Sequence, residues 1–325
     1  MIVDSFEAVG NLMDLGFTVR QAEFLYLVGT QTGVFTMEQY RVYAGIKMGK
    51  ACVSLVNRLN SLKFVGRYAL SEKSFIMHID NKRFYRTILT PDSRLRRSMS
   101  WGLMRQRLQF MDYIARNPEK RYLPTEESKR ETVMDQLGVP EAVLPVKVFT
   151  SPDGNSSTAR FFPVRFPMFI RGAGEGVTLG VVYGEDPAFT FQAFRKFVFT
   201  HRAFFDQIPC LNFVYVSPFE GRRNLAINFL TALFERSHAV INEEMMRYFV
   251  LRKKIDENRQ REFSDDDYAF WTFAYARFKG PEYEPLYASF YGNISEKSLS
   301  CARPRRTFEC TTFASTTTLK DCIGR

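Results

Sequence analysis

Between residues 47 and 61, side chains able to bind a polyanion follow one another at helical steps: Lys47, Lys50, Ser54, Asn57, Arg58 and Ser61. Residues three and four apart share one face of an α-helix. Lys and Arg supply the charge that meets phosphate oxygens, and Ser, Asn and Arg can also pair with base edges in a major groove. Interleaved with them, Cys52, Leu55, Val56, Leu59 and Leu62 repeat with the same period. A helix over residues 48–62 is therefore predicted, with one apolar and one polar face.

Residues that could make or break bonds are less well arranged. A metal-dependent nuclease needs an acid and then a Glu/Asp-x-Lys on neighbouring strands, so that carboxylates hold Mg2+ beside a lysine that positions water. Asp153 lies in Ser151-Pro152-Asp153-Gly154-Asn155, which is turn chemistry. Glu175, Glu185 and Asp186 have no lysine two residues on. Asp265, Asp266 and Asp267 stand where a helix begins, and acids there complement the helix dipole without a metal. Gly172-Ala173-Gly174-Glu175-Gly176 is a glycine-rich turn with no helix close behind it to cradle a phosphate. The five cysteines, Cys52, Cys210, Cys301, Cys310 and Cys322, form no CxxC pair, and His78, His201 and His238 are scattered. No catalytic residue, no metal ligand and no cofactor site is predicted, and the expectation is a protein that binds and does not catalyse.

The elements that must position the polar face are legible around it. Thr18 caps a helix over residues 18–30, and Thr36 caps a short one that Gly45 closes. Residues 65–70 and 75–79 read as two strands of a hairpin. Three helices followed by a hairpin is the order of a winged helix-turn-helix, whose third helix enters the major groove while the wing, here Arg67 and Lys73, lies along the backbone. The charge agrees with this. Residues 1–40 carry one Arg against five acids, residues 41–130 carry 20 Lys and Arg against 7 acids, and the remainder is nearly balanced at 24 against 23. The net charge of +10 is thus confined to one stretch, as for a protein with a polyanion partner.

Downstream, Lys82, Arg83, Arg86, Arg94, Arg96, Arg97, Arg105 and Arg107 lead into a helix that starts near Ser98 or Ser100, with Met104, Leu108, Met111 and Ala115 as its buried stripe. A helix over residues 126–137 ends at Gly138 and Pro140. The period then changes to that of strands, at 146–150 and 160–170. A strand at 177–183, a helix at 189–207 and a strand at 211–216 make a β-α-β crossover, whose strands are expected to be parallel. A helix over 222–261 with a break near Ser237, and another over 265–278 capped by Ser264, follow. Most of the aromatic residues, 15% of the chain, are expected in the core.

The fold class expected is α+β: an N-terminal winged helix-turn-helix in residues 1–85, a basic helical connector in 86–139, an α/β domain with a small mixed sheet in 140–294, and a disordered tail in 295–325. The outline of the α/β domain is that of a degenerate restriction-endonuclease-like fold. The partner expected is double-stranded DNA, with the α/β domain as a platform for a protein partner or a second copy of the chain. The alternatives are a metal-dependent nuclease with an unrecognised active site and a protein-interaction module. No apolar run approaches the ~20 residues that span a bilayer, and a cytoplasmic protein without a membrane partner is expected.

Thr18-Val19-Arg20-Gln21, Phe35-Thr36-Met37-Glu38-Gln39-Tyr40, Val56-Asn57-Arg58-Leu59 and Phe64-Val65-Gly66-Arg67-Tyr68 together resemble the replication-relaxation family, bacterial winged-helix proteins of plasmids and other mobile elements. The resemblance covers about a fifth of the chain closely, and residues after 140 follow it only in outline. It implies a part in plasmid or mobile-element replication, mobilisation or transcriptional control.

Overall fold

The computed structural model describes residues 3–71, 74–151, 157–162, 167–172, 177–185, 191–236, 243–280, 283, 287, 290, 291 and 305–312. The chain is mixed α+β with small sheets and separates into two compact units, Met1–Ile227 with Pro304–Arg325, and Asn228–Arg303. The divisions expected near residues 85 and 139 both fall inside the first unit.

The first unit opens with α1 (Val3–Asp14), before the helix expected from residue 18. Then come α2 (Val19–Leu27), β1 (Val34–Phe35), α3 (Met37–Ala44), α4 (Lys50–Ser61), β2 (Val65–Ser71) and β3 (Ser74–Ile79). Thr18 and Thr36 each close a reciprocal capping box, with Gln21 and Gln39, which satisfies amides that the first turn leaves without partners. Gly45 ends α3 in the left-handed region, at φ 63°. The β2–β3 hairpin gains a third strand, giving the order β1-β3-β2. β1 escaped notice in the sequence because it is only two residues long.

After α5 (Lys82–Thr87), α6 (Trp101–Arg116) starts from the cap residue Ser100 and buries Met104, Leu108, Met111 and Ala115 as expected. On one side, Met104 and Leu108 join Val34, Leu70 and Ile76 in a core cluster. Polar contacts reinforce the docking: Gln39 Nε2 on α3 donates to the carbonyl of Leu108 and to Asp112 Oδ1, both at 2.8 Å, and Arg107 Nη1 donates to the carbonyl of Thr32. On the other side, α6 covers a five-stranded sheet of order β10-β9-β8-β7-β4, built from β4 (Arg121–Tyr122), β7 (Met168–Arg171), β8 (Thr178–Gly184), β9 (Cys210–Ser217) and β10 (Arg305–Thr312).

β8 and β9 are parallel and buried along nearly their whole length, as near-continuous apolar runs with both faces covered should be. The crossover between them is two helices, α8 (Phe191–Thr200) and α9 (Arg202–Gln207), where one was expected; they meet at His201. Phe194 fills the space over Tyr183, Phe213 and Tyr215 on this face. Of the other aromatic residues in this region, Phe162, Phe169, Phe204 and Phe205 are buried and Phe199 is exposed, while Phe166 and Phe189 lie outside the described residues.

A helix α7 (Glu126–Glu131) with a wide turn after it ends at Gly138. The single strand expected over 160–170 is two: β6 (Ser157–Phe161) pairs with β5 (Val146–Thr150) in a separate hairpin, and β7 joins the large sheet. Within the stretch read as a disordered tail, Arg305–Thr312 forms β10, parallel to β9. Residue pattern alone does not show it because Arg305–Thr312 has no apolar period, and each residue pairs with one 95 positions earlier.

α10 (Gly221–Arg236) leads out of the first unit. In the second unit, α11 (Glu243–Asp256) packs on α12 (Asp265–Phe278) through Met245, Tyr248, Phe249, Ala274 and Phe278. The break expected near Ser237 lies outside the described residues. Ser264 caps α12 with Asp267, and Arg247 pairs with Asp266 and Asp267. No helix among the described residues is long and apolar enough to cross a membrane.

Gly180 faces Phe169 across the β7–β8 pair, and a Cβ there would come within about 2.1 Å of the ring. The ring cannot retreat, because Tyr113, Tyr122 and the Lys120 ammonium surround it. Gly180→Ala should therefore destabilise the first unit by about 1–3 kcal/mol or more, read as a lower denaturant midpoint with the slope unchanged; an unaltered midpoint would contradict this packing. Asp112 offers a second test. Burial, only partly opposed by the Gln39 hydrogen bond and Arg116, pushes its carboxyl up to about 6. The folded state then holds this proton more tightly than the unfolded chain, so stability falls as pH rises from about 4 through about 6. Asp112→Asn should remove that component, at most about 3 kcal/mol, and pH-independent differences between the two proteins would count against it.

Candidate nucleic-acid interface

The polar face read from the sequence is carried by α4, and the structure shows what holds it. Cys52, Leu55 and Leu59 are buried; Val56 and Leu62, expected with them, are only half-buried. Within the elements before α4, Phe24 of α2 meets Phe35 and Tyr40 edge-on at 5.2 and 5.1 Å, a favoured aromatic geometry. Arg20 Nη1 donates to the carbonyl of Ala44 at 2.9 Å, fixing the end of α3 from which the chain turns into α4.

Lys47 lies exposed in the turn before α4, Lys50 is the first residue of the helix, and Ser54 and Asn57 follow, all exposed. Gly49, Lys50, Val53, Ser54, Asn57, Arg58 and Ser61 line a shallow open concavity along this face. Gly49 provides no side-chain cap, and the Cys52 amide turns to the Gly49 carbonyl at 3.0 Å.

Arg58 has a second attachment. Its Nε donates to the carbonyl of Leu15 at 2.6 Å, and the guanidinium lies across Gly16, whose φ is +84°. Arg58 therefore ties α4 to the end of α1, which the sequence reading could not foresee without α1. Arg67 is exposed on β2 opposite Met77. Lys73, expected on the wing, lies outside the described residues. Lys63, just after α4, and Lys82, Arg83 and Arg86 on α5 are also exposed.

Other cations of the basic stretch are used inside the fold. Arg107 is buried against the Thr32 carbonyl, Lys120 sits over the rings of Tyr113 and Phe169, and Arg130 pairs with Glu127 and Glu141. Val53 went unremarked in the sequence because it belongs to neither pattern, yet it stands 57% exposed in the middle of the polar face.

Of the acids considered for metal chemistry, Asp153, Glu175 and Asp186 lie outside the described residues. Glu185, at the end of β8, is 2% exposed, accepts from Ser217 Oγ and pairs with Arg222. Its charge is answered by the start of α10. Among the described residues no group of three His, Cys, Asp or Glu side chains is placed to hold a metal ion. No family model, curated protein or solved structure matches this chain.

The double role of Arg58 separates it from its neighbours. Arg58→Ala should lose the bond to Leu15, worth about 1 kcal/mol at an exposed site, and lower the melting temperature by about 2–4 °C. Lys50→Ala should leave it unchanged. Equal melting temperatures for the two variants would show that the Arg58–Leu15 contact carries no stability.

Proposed function

We propose that this chain binds double-stranded DNA, with α2, α3 and α4 acting as a helix-turn-helix, α4 as the helix that enters the major groove, and the β2–β3 hairpin as the wing. The observation that carries this reading is the face of α4: a concavity lined by Lys50, Ser54, Asn57 and Arg58, open to solvent, on a helix whose other face is buried. The element order helix, short strand, helix, helix and hairpin, with β1 paired to β3, supports it, as do the exposed cations Lys47, Lys63, Arg67, Lys82, Arg83 and Arg86, which flank that helix along the chain. A phosphate backbone needs such a distribution, and base edges need donors of the Asn and Ser kind. The resemblance to the replication-relaxation family extends the proposal to plasmid or mobile-element replication, mobilisation or transcriptional control. The activity proposed is binding, without catalysis.

The full chain should shift the mobility of duplex DNA at low salt. With about six phosphates neutralised, affinity should fall about a thousandfold between about 50 and 200 mM salt. Lys50→Ala should weaken binding to all sequences and reduce the slope of log affinity against log salt by about one. A folded chain that shifts no duplex at low salt would overturn the proposal, and so would binding indifferent to salt.

A further inference from the structure

We propose that Val53 is a specificity-determining residue of α4, and that the site selects a thymine with an adenine one or two base pairs away. Val53 would pack on the thymine C5-methyl and Asn57 would pair with the adenine. The inference rests on the reading of α4 as the helix that enters the major groove.

Val53 stands 57% exposed on the side of α4 away from its buried anchor. The helix is anchored through Cys52, Leu55 and Leu59, while Val53 projects from the concavity between Lys50 and Asn57. A β-branched residue on a solvated helix surface is a poorer helix former than Ala and gains nothing from packing there. What it can gain comes from a partner. Along the major groove each base pair presents acceptors and donors, and the apolar group among them is the thymine methyl.

Asn57 follows Val53 by four residues, on the same face and about 6 Å further along the axis. That rise brings it over a base pair one or two steps away, and an amide pairs with both N6 and N7 of adenine. Arg58, the side chain on this face best suited to guanine, has its Nε engaged by Leu15 and its guanidinium laid over Gly16. Its reach toward a base edge is correspondingly shortened, which favours readout by Val53 and Asn57.

The test uses the full chain and a duplex selected from a randomised pool. Each thymine of the preferred site is replaced singly by deoxyuridine, which removes the methyl and leaves the hydrogen-bonding groups. At one position the wild type should lose about fourfold in affinity, the value of one buried methyl group. Val53→Ala, whose melting temperature should match the wild type because the side chain is exposed, should bind the thymine duplex about that much more weakly and be indifferent to the uracil replacement. Asn57→Ala should relax the preference for adenine within two base pairs of that thymine. Specific binding that no uracil replacement weakens, or a Val53→Ala variant that keeps the wild-type response, would overturn this inference and leave duplex binding standing. Binding without sequence preference would do the same, and absence of any duplex binding would remove both.

Discussion

Helix α6 is the constraint on which the first unit depends. It buries nine of its sixteen residues, which an amphipathic helix facing one partner would not do. One flank is held by the cluster of Val34, Leu70, Ile76, Met104 and Leu108, the other by Phe110 against Gly184 and Tyr113 against Phe169. Buried polar groups fix its register: Gln39 reaches the Leu108 carbonyl and Asp112, Arg107 reaches the Thr32 carbonyl, and Gln106 Nε2 donates to the Gly184 carbonyl at 2.7 Å. Each such bond costs more to leave unmade than it contributes when made. α6 therefore has few alternative positions. The helices that precede it and the sheet that follows share it, and neither can bury its apolar face without it.

The same constraint sorts the positive charge. A helix buried on two sides absorbs cations into structural work, as Arg107 and, just beyond its end, Lys120 show. Those left exposed include Lys47, Lys50, Arg58, Lys63, Arg67, Lys82, Arg83 and Arg86 on and next to α4, β2 and α5, and also Arg97, Arg116 and Arg121 further along the chain. The count of 20 Lys and Arg against 7 acids in residues 41–130 thus overstates the field available to a partner. Its placement is better described by the exposed set than by the segment total.

Burial governs the remaining polar groups similarly. Glu185 is tolerated at the end of β8 because Arg222 and Ser217 answer it. In the second unit Tyr248 stacks on Trp271 at 5.2 Å between α11 and α12, and Asp266 and Asp267 at the start of α12 are taken up by its cap and by Arg247.

The sequence by itself determined the helix caps, the β2–β3 hairpin, the apolar runs of β8 and β9 and the polar face of α4, but not α1, β1 or β10. Thr18, Thr36, Ser100 and Ser264 cap helices because a side-chain oxygen at that position meets amides two or three residues on, and Gly45 and Gly138 end them because they tolerate positive φ. The exposed row Lys50, Ser54, Asn57 follows from helical period alone. Only the tertiary structure decided what depends on partners distant in the chain. It gave Arg58 its anchor at Leu15, 43 residues away, gave Arg107 a carbonyl 75 residues away, and paired residues 305–312 with β9. Local pattern carries propensity and period, whereas these contacts join surfaces far apart in the chain, and no spacing in the chain encodes that choice.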